Sequence, residues 1–153
     1  MRFMKIFIGG PTEWEWIGIL LARSAVGLLF LLSGAGKLFR GDRRETMLRT
    51  LREAGIPFPQ FNAAFVSAVE FFFGLLLVVG ALTRLSCSML GGVMIVAIAT
   101  ARIRSIHSSS AADWLSEFLY LPEVLYLVIL VWLLLSGPGW LSVDSMMMSR
   151  SRI

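Results

Sequence analysis

Arg23, Lys37, Glu70, Arg84 and Glu123 are ionisable side chains set inside, or at the ends of, long apolar stretches. A charge within a hydrocarbon-spanning helix costs about 2.5 kcal/mol or more on insertion scales, so it is paired or it serves a function. Two chemistries are open to such a set. Interhelical ion pairs would fix the packing of a bundle. A polar pocket would instead receive a proton, a quinone head group or a small polar ligand. A buried carboxylate with no nearby cation titrates at raised pH and can exchange protons. Glu123 has the less evident cation, which makes it the better candidate for that role.

Four apolar stretches must position these groups: Ile17–Leu38, Phe61–Leu82, Leu85–Ile103 and Leu115–Ser136. A spanning helix needs about 20 mostly apolar residues, and each stretch meets that length. The chain has 153 residues, 57% of them hydrophobic and 16% charged. An ordinary soluble domain is about 25% charged. One all-α domain over residues 1–153 is therefore expected, an integral membrane four-helix bundle. The N-terminal apolar run is too short for a signal peptide and no small-residue cleavage site follows it. Trp14 and Trp16 sit where an aromatic belt would hold the first span.

Between the first two spans, Glu45–Ala54 places Met47, Leu48, Leu51 and Ala54 at helical spacing, with Arg49, Arg52 and Glu53 on the other face. Gly55, Pro57 and Pro59 stop it. This reads as a short amphipathic interfacial helix, or as a connecting helix packed on the bundle. A tight turn is expected around Thr83–Arg84, a polar loop at Ser105–Asp113, and a strong stop at Gly137-Pro138-Gly139. The tail from Trp140 reads as interfacial and then frayed.

Four spans put both termini on one side, here the terminal side, and the two longer loops on the other, the loop side. The loop side carries more Lys and Arg, which favours it as cytoplasmic. A rise of ~1.5 Å per residue places Arg23 roughly 9 Å in from the terminal side, with Glu70 and Glu123 roughly 13 Å and 10 Å in from the loop side. Arg23 and Lys37 share a helix face, and Glu70 and Arg84 have the same separation. Arg23 with Glu70 is the expected interhelical tie. Lys37, Glu70, Glu123 and Tyr120, with Arg102 and His107, make up the expected polar half and ligand pocket.

One cysteine, Cys87, excludes an internal disulfide and a CxxC redox pair. One histidine excludes bis-histidine haem ligation within the chain. No dinucleotide, P-loop or zinc motif occurs. No metal site and no catalytic residue is assigned. No cofactor is expected to be held by this chain alone, although a quinone is a candidate ligand. The net charge of +4 suits anchoring to anionic lipid better than nucleic-acid binding.

The ordered set Arg23, Leu29-Phe30-x2-Ser33-Gly34-x2-Lys37, Gly55-Ile56-Pro57, Glu70-x3-Gly74, Gly80-x2-Thr83-Arg84 and Gly137-Pro138-Gly139-x2-Ser142-x-Asp144 resembles the DoxX-like family of small four-span membrane proteins. The resemblance runs from about Ile17 to Asp144. It implies a four-helix membrane fold and a link to redox systems. The related DoxD type is a subunit of a thiosulfate:quinone oxidoreductase, and DoxX-like proteins are proposed as membrane partners of detoxifying enzymes. Relatives are described with cytosolic termini, which opposes the charge count and leaves orientation open.

The leading expectation is an accessory or anchor subunit of a membrane redox complex, of respiratory or photosynthetic electron-transfer type, without catalysis of its own. The alternatives are a quinone-reactive subunit of a thiosulfate-oxidising enzyme, with Glu70 and Glu123 handling protons, and a small-solute binder or carrier. Membrane lipid and other membrane subunits are the expected partners, and the bacterial inner (cytoplasmic) membrane the expected location.

Overall fold

The computed structural model describes residues 15–103, 106 and 110–150. The described residues form helices and connecting turns, with no strand among them. Helix α1 is Glu15–Phe39, α2 is Gly41–Glu53 and α3 is Pro59–Val79. Helix α4, Thr83–Ala97, continues as a π-helical turn over Ile98–Arg102. Helix α5 is Ala111–Leu119, α6 is Pro122–Ser136 and α7 is Val143–Arg150. Trp14 and His107, which the sequence reading singled out, lie outside the described residues.

Among the described residues, three helices are long and apolar enough to cross a membrane: Glu15–Phe39, Pro59–Val79 and Thr83–Thr100. The fourth expected span, one helix over 115–136, is corrected by the structure. It is a pair of helices, α5 and α6, bent by 63°. The cause is Pro122 at the start of α6. Proline clashes with a helical conformation in the residue before it, and Leu121 is accordingly extended, at φ −65° and ψ 124°. If the bent pair counts as one crossing, the bundle has four spans.

Helix α1 packs most extensively on α3, α4 packs on α6, and the α3–α4 hairpin joins the two pairs. In lipid, where apolar burial drives helices together only weakly, close approach depends on small residues. Gly34 and Gly74 supply it. A side chain at Gly34 would run into the backbone nitrogen of Phe71 on α3, and one at Gly74 would meet the Leu31 nitrogen of α1 at 2.5 Å. The core between the pairs is Val26, Phe30, Leu77, Cys87, Leu90, Met94, Leu130 and Leu133. Leu21, Leu32, Phe61, Phe72, Leu125 and Leu135 are exposed on the outer faces. An apolar core wrapped in an apolar exterior is the arrangement of a lipid-facing bundle, and this chain is an integral membrane protein.

The α3–α4 turn falls at Gly80–Leu82, a little before the expected Thr83–Arg84, which form the first turn of α4. Helix α2 begins four residues before its expected start at Glu45. Its Met47, Leu48, Leu51 and Ala54 are half-buried while Arg49, Arg52 and Glu53 are exposed, as the spacing requires. It packs on α1 and α3, and the Ser67 hydroxyl of α3 points at Met47 Sδ, 3.8 Å away. The tail beyond Trp140, read as fraying, is helical over Val143–Arg150.

Candidate functional site

Two polar centres occupy opposite ends of the bundle. The first is built on Arg23, the largest fully buried side chain among the described residues at 2% exposure. Its guanidinium does not reach Glu70, so the expected Arg23–Glu70 tie is corrected. Nη1 donates to the Pro138 carbonyl at 2.7 Å and Nη2 to the Leu141 carbonyl at 2.6 Å. Nε is buried without a hydrogen-bond partner among the described residues. The physical reason is length and position: Arg23 lies one end of α1 away from Glu70, and the carbonyls after the Gly137-Pro138-Gly139 stop fold back over it.

That fold-back is locked by Asp144. Its carboxylate accepts from the Leu82 N–H through Oδ1 and the Thr83 N–H through Oδ2, both at 2.8 Å. These are orphan donors at the start of α4, so a residue far along the chain acts as the helix cap. The Asp144 N–H returns a bond to the Gly80 carbonyl at 3.0 Å. Gly80 ends α3 at φ +71°, and a Cβ there would strike the Arg23 guanidinium. Ser142 completes the centre, donating to the Gly139 carbonyl at 2.8 Å. Burial pushes the Asp144 carboxyl up, but the Thr83 and Leu82 N–H bonds and the Arg23 charge outweigh it and hold it below the ordinary carboxylate range. The Arg23 guanidinium of this centre is buried and answered by backbone carbonyls.

The second centre lies at the loop-side end. Lys37, in the last turn of α1, donates to both carboxylate oxygens of Glu70 on α3, each at 2.7 Å. Glu70 is buried, with a side chain only 4% exposed, while Lys37 is 25% exposed. Arg102 donates through Nε to Glu123 Oε1 at 2.7 Å. Sequence reasoning left the cation of Glu123 less evident than that of Glu70, and the structure pairs it with Arg102. The other oxygen, Glu123 Oε2, is buried with no hydrogen-bond partner among the described residues. The π-helical turn delivers Arg102 there. Such a turn widens the helix by one residue and re-aims the side chains beyond it, and such bulges recur at functional sites.

Both ion pairs line one cavity of about 790 Å³. Its apolar walls come from Phe65, Val66 and Val69 of α3 and Met89 and Val93 of α4, with Met47 and Leu51 of α2 on a further side. The amphipathic face of α2 thus closes a cavity as well as packing on the bundle. Of the expected polar half, the structure brings together Lys37, Glu70, Arg102 and Glu123. Arg84 does not join them. Helix α3 ends at Val79, so Arg84 sits beyond the turn on α4, exposed and out of register with Glu70. Tyr120, at the α5–α6 bend, is 86% exposed and lines no part of the cavity. His107 lies outside the described residues.

Sequence reasoning missed several residues of these centres. Asp144 and the carbonyl-bearing Pro138 and Leu141 were not placed beside Arg23. Arg43, which lines the cavity from α2, was counted only as a loop charge. Among the described residues there is no cluster of His, Cys, Asp and Glu able to hold a metal ion.

This geometry, a membrane bundle with a glycine-packed α1–α3 pair and a Lys–Glu pair near its end, defines a small polytopic membrane protein with a polar cavity. The DoxX family model matches residues 18–103, more than half of the chain, and the protein belongs to the DoxX family. The match contains Arg23, Lys37, Glu70 and Arg102. It stops before Glu123 and before the Gly137–Asp144 segment that closes over Arg23. No curated protein and no solved structure matches significantly.

Proposed function

We propose that this DoxX protein is an accessory subunit of a membrane redox assembly and that it contributes a pocket for a small apolar molecule with a polar head, of the quinone kind. The observation that carries the reading is the pair of ion pairs, Lys37–Glu70 and Arg102–Glu123, on the wall of a cavity of about 790 Å³. Charges placed only to tie helices would be covered on both sides, as Arg23 and its carbonyl partners are. Here the carboxylates are covered but their cations, Lys37 at 25% and Arg102 at 52% side-chain exposure, stay open on the cavity wall. A cavity of a few hundred to about 1,000 Å³ with apolar walls and a few convergent polar groups is the usual form of a small-molecule site.

The polar valences suit an acceptor head. Lys37 has three N–H donors and spends two on Glu70. The third remains for a ligand, and quinone carbonyl oxygens accept. The apolar walls would take the substituted ring or the first part of its tail. Glu70 and Glu123 would hold the cations in place. Their alternative role, passing protons to a reduced quinone, needs the same positions. The bacterial inner membrane is the location this reading requires.

The test is binding of a short-chain quinone to the purified protein in nanodiscs, monitored by quenching of intrinsic fluorescence. Saturable binding is expected, weakened about tenfold or more in Lys37→Met, the loss of one charge-assisted bond. Extraction from native membrane in mild detergent should recover the chain with redox subunits. A chain that binds no quinone and travels alone would defeat the proposal. Glu70→Gln and Glu123→Gln separate the proton-handling variant of the reading, since both would lower quinone reduction by the intact assembly without loss of protein.

A further inference from the structure

Charge on the cavity wall does not balance. The wall carries Lys37, Arg43 and Arg102 against Glu70 and Glu123. Lys37 is taken by Glu70 and Arg102 by Glu123. Arg43 has no ion pair or hydrogen bond among the described residues. Its side chain nevertheless has a defined seat. It lies across α1 at Gly36, where a Cβ would meet the Arg43 Cδ and Nη1 at 2.9 Å. Glycine at that position leaves room for the guanidinium to rest against the turn of α1 that ends in Lys37.

The neutral groups nearby do not absorb this charge. Thr46 and Thr50 donate their hydroxyls to helix carbonyls one turn back, and Asn62 donates to the Pro57 carbonyl. Glu123 Oε2, the remaining carboxylate oxygen, is buried away from open space. The wall therefore presents an unspent guanidinium and the third N–H of Lys37, and no spare acceptor of comparable strength. A guanidinium prefers a carboxylate or phosphate, which it meets with two parallel bonds.

We infer that the cavity also accepts a ligand whose head carries a negative charge, docked between Arg43 and Lys37, with its apolar body between Phe65, Val66, Met89 and Val93. This rests on the binding-pocket reading above and adds to the neutral quinone head a second class of ligand: a single-chain anionic amphiphile, such as a carboxylate on an alkyl or isoprenoid tail. An anionic head from a bilayer lipid offers the same chemistry with one tail inserted. Helix α2 supplies both Arg43 and the apolar side of the cavity, so head and body are recognised by adjoining parts of one fold.

The experiment compares three probes on the full chain in phosphatidylcholine nanodiscs: laurate, lauryl alcohol, and a neutral short-chain quinone. Laurate is expected to bind roughly tenfold or more tightly than the alcohol, the worth of one charge-assisted contact. Arg43→Gln should bring laurate down to the level of the alcohol. Arg44→Gln, exposed like Arg43 but off the cavity wall, should leave laurate unchanged. Adding phosphatidylglycerol to the nanodiscs identifies the source: competition with laurate points to a lipid head, its absence to a free amphiphile. Equal affinities that Arg43→Gln does not alter, or an equal loss in Arg44→Gln, would overturn the inference while quinone binding still upheld the pocket. If no probe binds, the pocket reading falls with it.

Discussion

The two polar centres contain the same kinds of groups and use them in opposite ways. Around Arg23 the described residues leave almost no exposure. The guanidinium is buried, two backbone carbonyls accept from it, and Asp144 fastens the returning chain to the start of α4. Around Lys37 and Glu70 the pairing is equally short, but the pair stands on the wall of a cavity and is capped by a separate surface helix. On the proposed reading, the contrast separates a structural charge from a working one inside a membrane protein. A structural charge is answered by backbone, which cannot move away. A working charge is answered by side chains, which can exchange that partner for a ligand.

The greatest loss should come at the closed centre. Arg23→Leu removes two hydrogen bonds from a charged donor and strands the Pro138 and Leu141 carbonyls. The loss should be about 3 kcal/mol or more, read as a clear drop in the thermal midpoint in detergent. A variant of wild-type stability would erase the contrast between the centres.

At the cavity, Glu70→Gln leaves Lys37 without its counter-charge and should cost about 1–3 kcal/mol. The double variant Lys37→Met with Glu70→Leu should recover most of that, because well-packed apolar residues often replace a buried pair at little cost. It should nonetheless bind no quinone or laurate. Recovery of both stability and binding would make the pair a packing device and bring it closer to Arg23.

A lesser effect separates the centres by pH. Asp144 titrates below its unfolded value of about 3.9. Its contribution is fully present above that value and is lost as pH falls through the lower folded pKa. Wild type should therefore lose stability in that acid range, and Asp144→Asn should show less of the loss. An identical acid profile in the variant would place the sensitivity elsewhere. Least affected should be Arg84, exposed and outside both centres. Arg84→Ala should change stability by less than about 0.5 kcal/mol and leave probe binding intact.

Much of the fold was legible because it depends on local properties. Length and apolarity mark α1, α3 and α4, and the faces of α2 follow from a 3.6-residue period. The bend at Pro122 was also written in the chain, but a hydropathy average runs through a proline that the backbone cannot ignore. The loop-side grouping of Lys37, Glu70, Arg102 and Glu123 followed from depth alone, since groups at one depth are neighbours once helices pack. Depth does not give direction around the helix axis. Arg23 and Glu70 looked like partners in charge, and the bundle gave each a different one.

Sequence alone settles that this is a helical membrane protein of the DoxX family, with its charges near two depths. Those properties reside in single segments and in the cost of charge in hydrocarbon. Packing settles the rest: which charge meets which, that the Pro138 and Leu141 carbonyls answer Arg23, and that α2 encloses a cavity with Arg43 on its wall. Carbonyls carry no residue identity, and a cavity belongs to the space between segments. Neither exists until the helices are packed.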